Sequence, residues 1–377
     1  MDVWLITLFL VAALAFANGT NDVSKTIATL VGSGVTNYRT AFMWGTAWTV
    51  VGAGASASLA TAMVKTFSTG LIQPGLVIHP EVGLSVLAGS TLWVLLASRT
   101  GLPVSTTHAL TGAIVGAGLM AFGSSGLLWS AIASKIALPL LVSPILALIV
   151  AALIHPVIQT MSGRWEGTCV CLMPTYRAVV TVDPHGLTRT LFQASGFRQP
   201  VADVPAQCDR AGLRGLSIGP DTLHWISSGL ASFARGMNDA PKIVALLLLG
   251  GMAASTTGWN LQDTAFTAVA LAMGLGSLMG GFRVTKVLAE KVTQMDHSEG
   301  LSANLTTSSL VLVSATMGLP VSTTHVSSSS IIGIGLLKGF GSVRWSTVRD
   351  MVLAWIVTLP ATGILASLVY LALTGSI

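Results

Sequence analysis

Charged side chains are scarce in this chain. Asp, Glu, Lys and Arg make up 9% of its 377 residues, whereas an average soluble domain carries about 25%. Hydrophobic residues reach 52%, and the mean hydropathy is +0.76. So few charges cannot cover a soluble surface, which excludes a soluble enzyme. Apolar stretches of about 20 residues recur along the chain and are long enough to cross a bilayer as helices.

Cysteine is also rare, and the three cysteines cannot form a paired disulfide framework. The N-terminus has no basic stretch and no small-residue cleavage motif. We therefore interpret the first apolar run as a retained membrane segment rather than a signal peptide. The net charge of +5 is interpreted as an orientation signal, not as a nucleic-acid surface.

Two motifs occur twice at one spacing. Ala17-Asn18-Gly19-Thr20-Asn21-Asp22-Val23-Ser24-Lys25 returns as Ala234-Arg235-Gly236-Met237-Asn238-Asp239-Ala240-Pro241-Lys242, with the Asn-Asp pairs 217 residues apart. The eight residues from Gly101 to His108 return unchanged from Gly318 to His325, at the same offset. The shared offset indicates two copies of one ancestral unit.

The repeat divides the chain into a first membrane half at 1–160, an insert at 161–222 and a second membrane half at 223–377. The insert is polar and arginine-rich, and its stretch from 168 to 193 alternates enough to predict a few short strands. Its Cys169, Cys171, His185 and Cys208 have the wrong spacing for common zinc sites, so free thiols are favoured over zinc.

Five crossings are predicted in each half: 3–35, 40–62, 83–98, 103–122 and 128–158, then 224–250, 264–282, 302–317, 319–337 and 350–375. With both termini outside, most of the 19 lysines and arginines fall on cytoplasmic pieces, including those of the insert. Five is odd, so the second half enters from the opposite side. The predicted fold class is an all-α polytopic membrane protein, an inverted-repeat transporter with broken helices, re-entrant segments and a small soluble central insert.

Asp22 and Asp239 lie inside apolar segments, where a carboxylate costs about 2.5–3.5 kcal/mol. One interpretation is a purely structural pairing with Lys25 and Lys242, three residues further on. The favoured interpretation is a cation or proton site, at which neighbouring glycines let the helix unwind and expose carbonyls to an ion such as sodium.

The Gly-Leu-Pro-Val-Ser-Thr-Thr-His motif predicts a helix that restarts inside the membrane, with proline at its first position. The hydroxyls then lie among free N–H groups at the positive end of the helix dipole, which favours an oxyanion. A proline kink with back-bonded hydroxyls is the alternative. Because the motif occurs in both inverted halves, the two turns are predicted to converge on one central ligand. The predicted cradle consists of Ser105, Thr106, Thr107, Ser322, Thr323 and Thr324.

Three further polar residues keep two interpretations each. His108 and His325 either fix the turn by hydrogen bonds, which is favoured, or relay protons. Arg235 either extends to the cytoplasmic interface by snorkelling or contacts an anion.

The paired motifs resemble those of the inorganic phosphate transporter family, the Pit type of cation-coupled phosphate permease. The resemblance covers both membrane halves and omits the insert. It implies a secondary symporter that moves phosphate inward with sodium or protons, a cytoplasmic central loop, outside termini, a plasma-membrane location and a homodimer. It implies no cofactor besides the coupling ion and no enzymatic activity.

By this resemblance, Asn21, Asp22, Asn238 and Asp239 match the cation-site signature, with sodium at the two aspartates, and the two Ser-Thr-Thr runs match the phosphate cradle. The chain departs from the family at Lys25 and Lys242, where many members have Asn. An ammonium beside each aspartate could replace a sodium ion or bind the oxyanion itself.

Alternatives stay open at this point. A permease for sulfate or another tetrahedral oxyanion fits the same hydroxyls and amides. An ion channel fits inverted repeats less well than a carrier does. An intramembrane hydrolase could use Ser105 and His108, but a single nucleophilic site does not need duplication.

Overall fold

The computed structural model describes residues 3–59, 61–165, 169–182, 187–203, 219–249 and 261–375, and most of these are helical. The helices of the first half are α1 (Val3–Asp22), α2 (Ser24–Gly32), α3 (Tyr38–Leu59), α4 (Thr61–Ser68), α5 (Pro80–Thr100), α6 (Thr106–Phe122), α7 (Trp129–Ala131) and α8 (Leu138–Trp165). A π-helical turn at Ile132–Ala137 joins the last two.

The second half repeats this order. Its helices are α9 (Pro220–Leu249), α10 (Leu261–Met279), α11 (Phe282–Glu290), α12 (His297–Thr316), α13 (Thr323–Leu337) and α14 (Trp345–Thr374). Helices therefore lie at all ten predicted crossings, and the short helices α4 and α11 are additional. The predicted fold class, an all-helical membrane protein with broken helices, is confirmed.

Length and apolar composition identify four described helical stretches that could each span a membrane, and two sharply bent helix pairs raise the number to six. The four are Val3–Gly32, Pro80–Thr100, Trp129–Ser162 and Trp345–Thr374. The bent pairs are Tyr38–Leu59 with Ala62–Ser68, at 85°, and Asp263–Met279 with Phe282–Glu290, at 66°. The ten crossings and their orientation stay a prediction.

Contacts between the halves come in matching pairs, as a pseudo-twofold arrangement requires. Helix α1 packs against α10, and its counterpart α9 packs against α3. In the same way α6 packs against α14, whereas α13 packs against α8. The two motif-bearing helices α1 and α9 also contact each other at the centre of the molecule.

The described residues of the insert form two long strands, where its sequence predicts a few short ones. Strands β1 (Cys169–Val182) and β2 (Thr188–Asp203) form one antiparallel hairpin, with a register shift between Pro174 and Tyr176. In the described residues no group of three His, Cys, Asp or Glu side chains could hold a metal ion. His185 and Cys208, which the zinc alternative requires, lie outside the described residues.

The glycines of the Asn-Asp motifs do not unwind their helices, so that prediction is wrong. Helix α9 runs without interruption through Asp239, and Val23, between α1 and α2, keeps helical dihedral angles. A Cβ atom on Gly19 would lie 2.2 Å from the carbonyl oxygen of Met273, and one on Gly236 would lie 2.3 Å from that of Thr49. These glycines instead allow close helix packing between the halves.

The predicted helix restart is confirmed, with one correction. Helix α5 ends at Gly101, which has a φ of +79°, and the chain stays non-helical until α6 begins at Thr106. Pro103 therefore lies before the helix rather than at its first position, and Ser105 is the N-cap. The second copy has the same geometry, with Gly318 at φ +69° and Ser322 as the N-cap of α13.

Candidate substrate site

The first acid–lysine pair lies in a fully buried cage of oxygen atoms. Lys25 Nζ forms a short ion pair with Asp22 Oδ1 and also donates to Asn21 Oδ1 at 3.1 Å. Its third acceptor is the carbonyl oxygen of Val104 at 2.8 Å. Val104 precedes the helix start of α6, so its carbonyl is free of intrahelical hydrogen bonds.

The second half builds a similar cage. Lys242 Nζ lies 3.2 Å from Asp239 Oδ1 and donates to the carbonyl oxygen of Val321 at 3.5 Å. It also donates to Thr107 Oγ1 at 2.8 Å, which belongs to the first half. Asn238 Nδ2 donates to Asp239 Oδ1 at 3.1 Å and to the carbonyl of Val321 at 3.2 Å. The structural pairing of each aspartate with its lysine is therefore present in both halves.

Asn18 joins the two pairs into one site. Its Nδ2 donates to Asp22 Oδ2 at 3.2 Å and to Asp239 Oδ2 at 3.1 Å. It also lies 3.0 Å from Thr106 Oγ1, which donates to Asp22 Oδ2 at 3.3 Å. One buried amide thus holds carboxylates from both halves, and the helix start of α6 contacts the same cluster.

The openings of α6 and α13 also meet. Thr107 Oγ1 donates to the carbonyl of Val321 at 3.3 Å, and Thr324 Oγ1 donates to the carbonyl of Val104 at 2.7 Å. Each hydroxyl therefore contacts the broken segment of the opposite half. The motifs that the sequence predicts to converge lie against each other, and all six hydroxyl residues of the predicted cradle are buried.

The six hydroxyls of the predicted cradle differ in the contacts that they form. Ser105 and Ser322 cap their helices by accepting from the backbone N–H of His108 and His325, each at 3.2 Å. Ser105 thus bonds to the backbone of His108, not to its imidazole ring, which speaks against the hydrolase alternative. Thr106, Thr107 and Thr324 contact the acid–lysine cluster or the opposite break, whereas Thr323 is buried beside them.

Both histidines are buried and pack together, with ring centroids 4.6 Å apart. His325 Nδ1 lies 3.2 Å from the carbonyl oxygen of Leu140, and its ring packs on Trp355 at 4.2 Å. Trp355 Nε1 in turn donates to the carbonyl of Pro103 at 3.1 Å. The contacts of the His325 ring fit the favoured interpretation, in which a histidine fixes its helix start by hydrogen bonds, whereas His108 Nδ1 has no partner among the described residues.

The oxygen atoms of the two cages are of the type that binds cations, but few of them remain available to a sodium ion. Carboxylate, amide and carbonyl oxygens are the donors that hard cations take. In the first half, however, carboxylate, amide and carbonyl oxygens accept from Lys25, and in the second half Lys242 binds a carboxylate and a carbonyl oxygen. The residues present therefore do not fit sodium at Asp22 or Asp239 while the lysines keep these positions.

Arg235 does not extend to the membrane surface. It is completely buried, so the snorkelling interpretation is wrong. Five basic and acidic side chains of the two motifs are thus enclosed together: Asp22, Asp239, Lys25, Lys242 and Arg235. In their ordinary ionised forms they carry one net positive charge, which suits an anionic ligand.

A comparison with protein families agrees with the duplicated motifs, their mutual contact and this charge balance. A family model described as the phosphate transporter family matches residues 18–366. The chain belongs to the phosphate transporter family. Membership in a family of transporters agrees with the expectation that the chain is a permease and not an enzyme.

Similar proteins agree with this assignment to the phosphate transporter family. A "Probable low-affinity inorganic phosphate transporter" of Mycobacterium bovis is 32% identical over 375 residues, which covers 98% of this chain and 78% of that protein. One of the same name from Mycobacterium leprae is 29% identical with the same coverage. A solved structure described as "The sodium-dependent phosphate transporter" shares the fold, with a TM-score of 0.77, 21% identity and full coverage of both chains.

Sequence reasoning missed three contributors to the site, one side chain and two backbone carbonyls. Asn18 stands one helical turn before Asp22, on the same face of an apolar helix, and that spacing is a usable signal for a polar partner. The carbonyls of Val104 and Val321 carry no side-chain signal at all. Only the fold shows that each lies against the lysine of its own half.

Proposed function

We propose that this protein is a secondary symporter for inorganic phosphate, with the substrate held where the helix starts of α6 and α13 meet the two acid–lysine pairs. The observation that carries the proposal is Asn18, whose amide contacts Asp22 and Asp239 together. Through it the charged residues of both halves form a single buried cluster. Hydroxyls and helix N-termini beside that cluster supply the neutral donors that an oxyanion needs.

Two buried amide oxygens favour phosphate over sulfate. Asn18 Oδ1 and Asn238 Oδ1 have no hydrogen-bond partner among the described residues. A protonated phosphate carries hydroxyl groups that can donate to such acceptors, whereas sulfate at neutral pH carries none. Because an unpaired buried acceptor costs about 1–3 kcal/mol, these oxygens would favour binding of the protonated anion.

We expect proton coupling in preference to sodium coupling. A protein of this fold is described as sodium-dependent, but here an ammonium group lies in each oxygen cage. A carboxylate can take up a proton without displacing its lysine, whereas sodium would have to compete for the same oxygens. Binding of anion and proton would then be reciprocal, so each would raise the affinity of the other. Alternating access would come from movement of one repeat against the other around this centre.

The uptake experiment separates these possibilities. Purified protein in liposomes should accumulate radiolabelled phosphate under an inward proton gradient, at the same initial rate in sodium and in choline buffers. Unlabelled phosphate should compete, and sulfate should compete at least about tenfold less well. Uptake that requires sodium would contradict proton coupling, stronger competition by sulfate would favour the sulfate alternative, and no uptake under any gradient would exclude phosphate transport.

The orientation can be tested with the native cysteines, because all three lie in the insert. We propose that the insert is cytoplasmic and that both termini are outside, as the distribution of basic residues indicates. A membrane-impermeant maleimide should leave intact cells unlabelled and should label the protein after permeabilisation. A variant with its cysteines replaced by serine is the control, and labelling in intact cells would reverse the orientation.

A further inference from the structure

Arg235 is a buried cation that forms no ion pair with a carboxylate in the part of the chain that the structure describes. Its side chain is fully enclosed, and its only hydrogen bond among the described residues is a long one, from Nη2 to Ser277 Oγ at 3.4 Å. Within the described ranges, Nε and Nη1 have no hydrogen-bond partner. A guanidinium has five N–H donors in a fixed plane, so most of its hydrogen-bonding capacity is unused.

The position of Arg235 links it to the central cluster. It stands one helical turn before Asp239 on α9, on the same face of the helix. Its counterpart in the first half, 217 residues earlier, is Asn18, which stands one turn before Asp22 and bridges the two carboxylates. The guanidinium attracts both Asp22 and Asp239 electrostatically, but neither carboxylate is within ion-pair distance of it.

The charges around the site do not balance without a further anion. Lys25 neutralises Asp22, and Lys242 neutralises Asp239. Arg235 therefore remains as the surplus positive charge, in surroundings where an uncompensated ion is strongly destabilising. Its hydrogen bond to Ser277 does little to offset this cost, because it is long, at 3.4 Å, and its acceptor is a neutral hydroxyl.

We propose that Arg235 is an anion-binding residue of the central site, where its guanidinium, whose Nε and Nη1 have no partner among the described residues, binds the transported oxyanion. This inference rests on the proposed function and adds a residue to its site. A planar guanidinium can donate two parallel hydrogen bonds to a tetrahedral oxyanion, and this geometry is not available to lysine. The surplus charge also explains why the site would favour an anion although two carboxylates lie beside it.

Equilibrium binding to the purified full-length protein in detergent tests the inference without requiring transport. Radiolabelled phosphate binding should weaken about 30-fold or more in Arg235→Met, because one partner of a buried charge pair is removed. Arg235→Lys should restore only part of the affinity. Ser277→Ala, which removes the observed hydrogen bond, should bind like the wild type, as should Arg349→Met, which changes an exposed arginine.

Thermal unfolding supplies a second measurement, because a purely structural role of Arg235 would lower the unfolding temperature of Arg235→Met. Without phosphate, Arg235→Met should unfold at the same temperature as the wild type or higher, because an unpaired buried charge has been removed. Phosphate should raise the unfolding temperature of the wild type and of Ser277→Ala, but not that of Arg235→Met.

Two different failures can be told apart. If the wild type binds phosphate and Arg235→Met binds it equally well, the inference is wrong and the proposed function stands. The inference is also wrong if Arg235→Met and Ser277→Ala are destabilised alike, since the arginine would then be structural. If the wild type binds no phosphate under any condition, the proposed function itself fails.

Discussion

Replacing either buried aspartate with asparagine is expected to abolish phosphate uptake, to below about 1% of the wild-type rate. Each carboxylate accepts from its own lysine and from the shared amide of Asn18. Asp22→Asn or Asp239→Asn leaves a buried ammonium without its counter-charge, which costs about 3–5 kcal/mol. It also removes the group that we propose to take up the coupling proton.

The initial rate of uptake by proteoliposomes, normalised to reconstituted protein, measures this effect. Asp350→Asn is the matched control, because Asp350 is exposed and pairs with Arg349 at the surface of α14. A monodisperse elution profile checks that each variant has folded. The double variant Asp22→Asn with Lys25→Met separates the two roles, because it restores charge balance. If it transports at the wild-type rate, Asp22 serves only to neutralise its lysine.

The repeat in the sequence predicted the arrangement of the site better than any single residue did. A shared offset of 217 residues implied two related halves, and paired contacts such as α1 on α10 and α9 on α3 reflect that relation. Because a pseudo-twofold arrangement brings equivalent segments together near its axis, the duplicated motifs were expected to converge. The motifs do converge, because Thr107 and Thr324 each contact the non-helical segment of the opposite half.

The glycines beside the Asn-Asp motifs show what a sequence cannot separate. Glycine ends helices, but it also lets two backbones approach closely. Gly19 and Gly236 allow close approach, because each faces the backbone of a helix from the opposite half. Gly101 and Gly318 instead end helices, and both have positive φ. Proline stands two residues after Gly101 and Gly318 but not after Gly19 and Gly236, and the close approach at Gly19 and Gly236 depends on tertiary neighbours.

The lysines illustrate a related limit. Their spacing of three residues from an aspartate predicts an ion pair along one helix, and both pairs are present. Whether such a lysine also occupies the coordination sphere of a cation depends on carbonyl groups far away in the sequence. Val104 stands 79 residues after Lys25, and only the folded chain brings that carbonyl to the ammonium.

Replacing both lysines with asparagine is expected to make transport dependent on an added cation. In Lys25→Asn with Lys242→Asn, each cage keeps its carboxylate and its carbonyl and gains an amide oxygen, but it loses the internal positive charge. The two carboxylates would then outnumber Arg235, the cation that remains, and would repel an oxyanion, so uptake in sodium-free buffer should fall at least about 100-fold, which corresponds to about 3 kcal/mol. Sodium, which prefers such oxygen ligands, should then restore part of the rate.

The measurement is phosphate uptake by proteoliposomes over a range of sodium concentrations at fixed ionic strength, with choline as the replacement. The control is Lys65→Asn, which changes an exposed lysine of α4 and should leave the sodium response unchanged. Since Asn21 and Val104 stay in place in the double variant, an appearance of sodium dependence would identify the ammonium groups as substitutes for bound ions. Wild-type uptake by the double variant without sodium would show that the lysines are dispensable, and would contradict this account of the site.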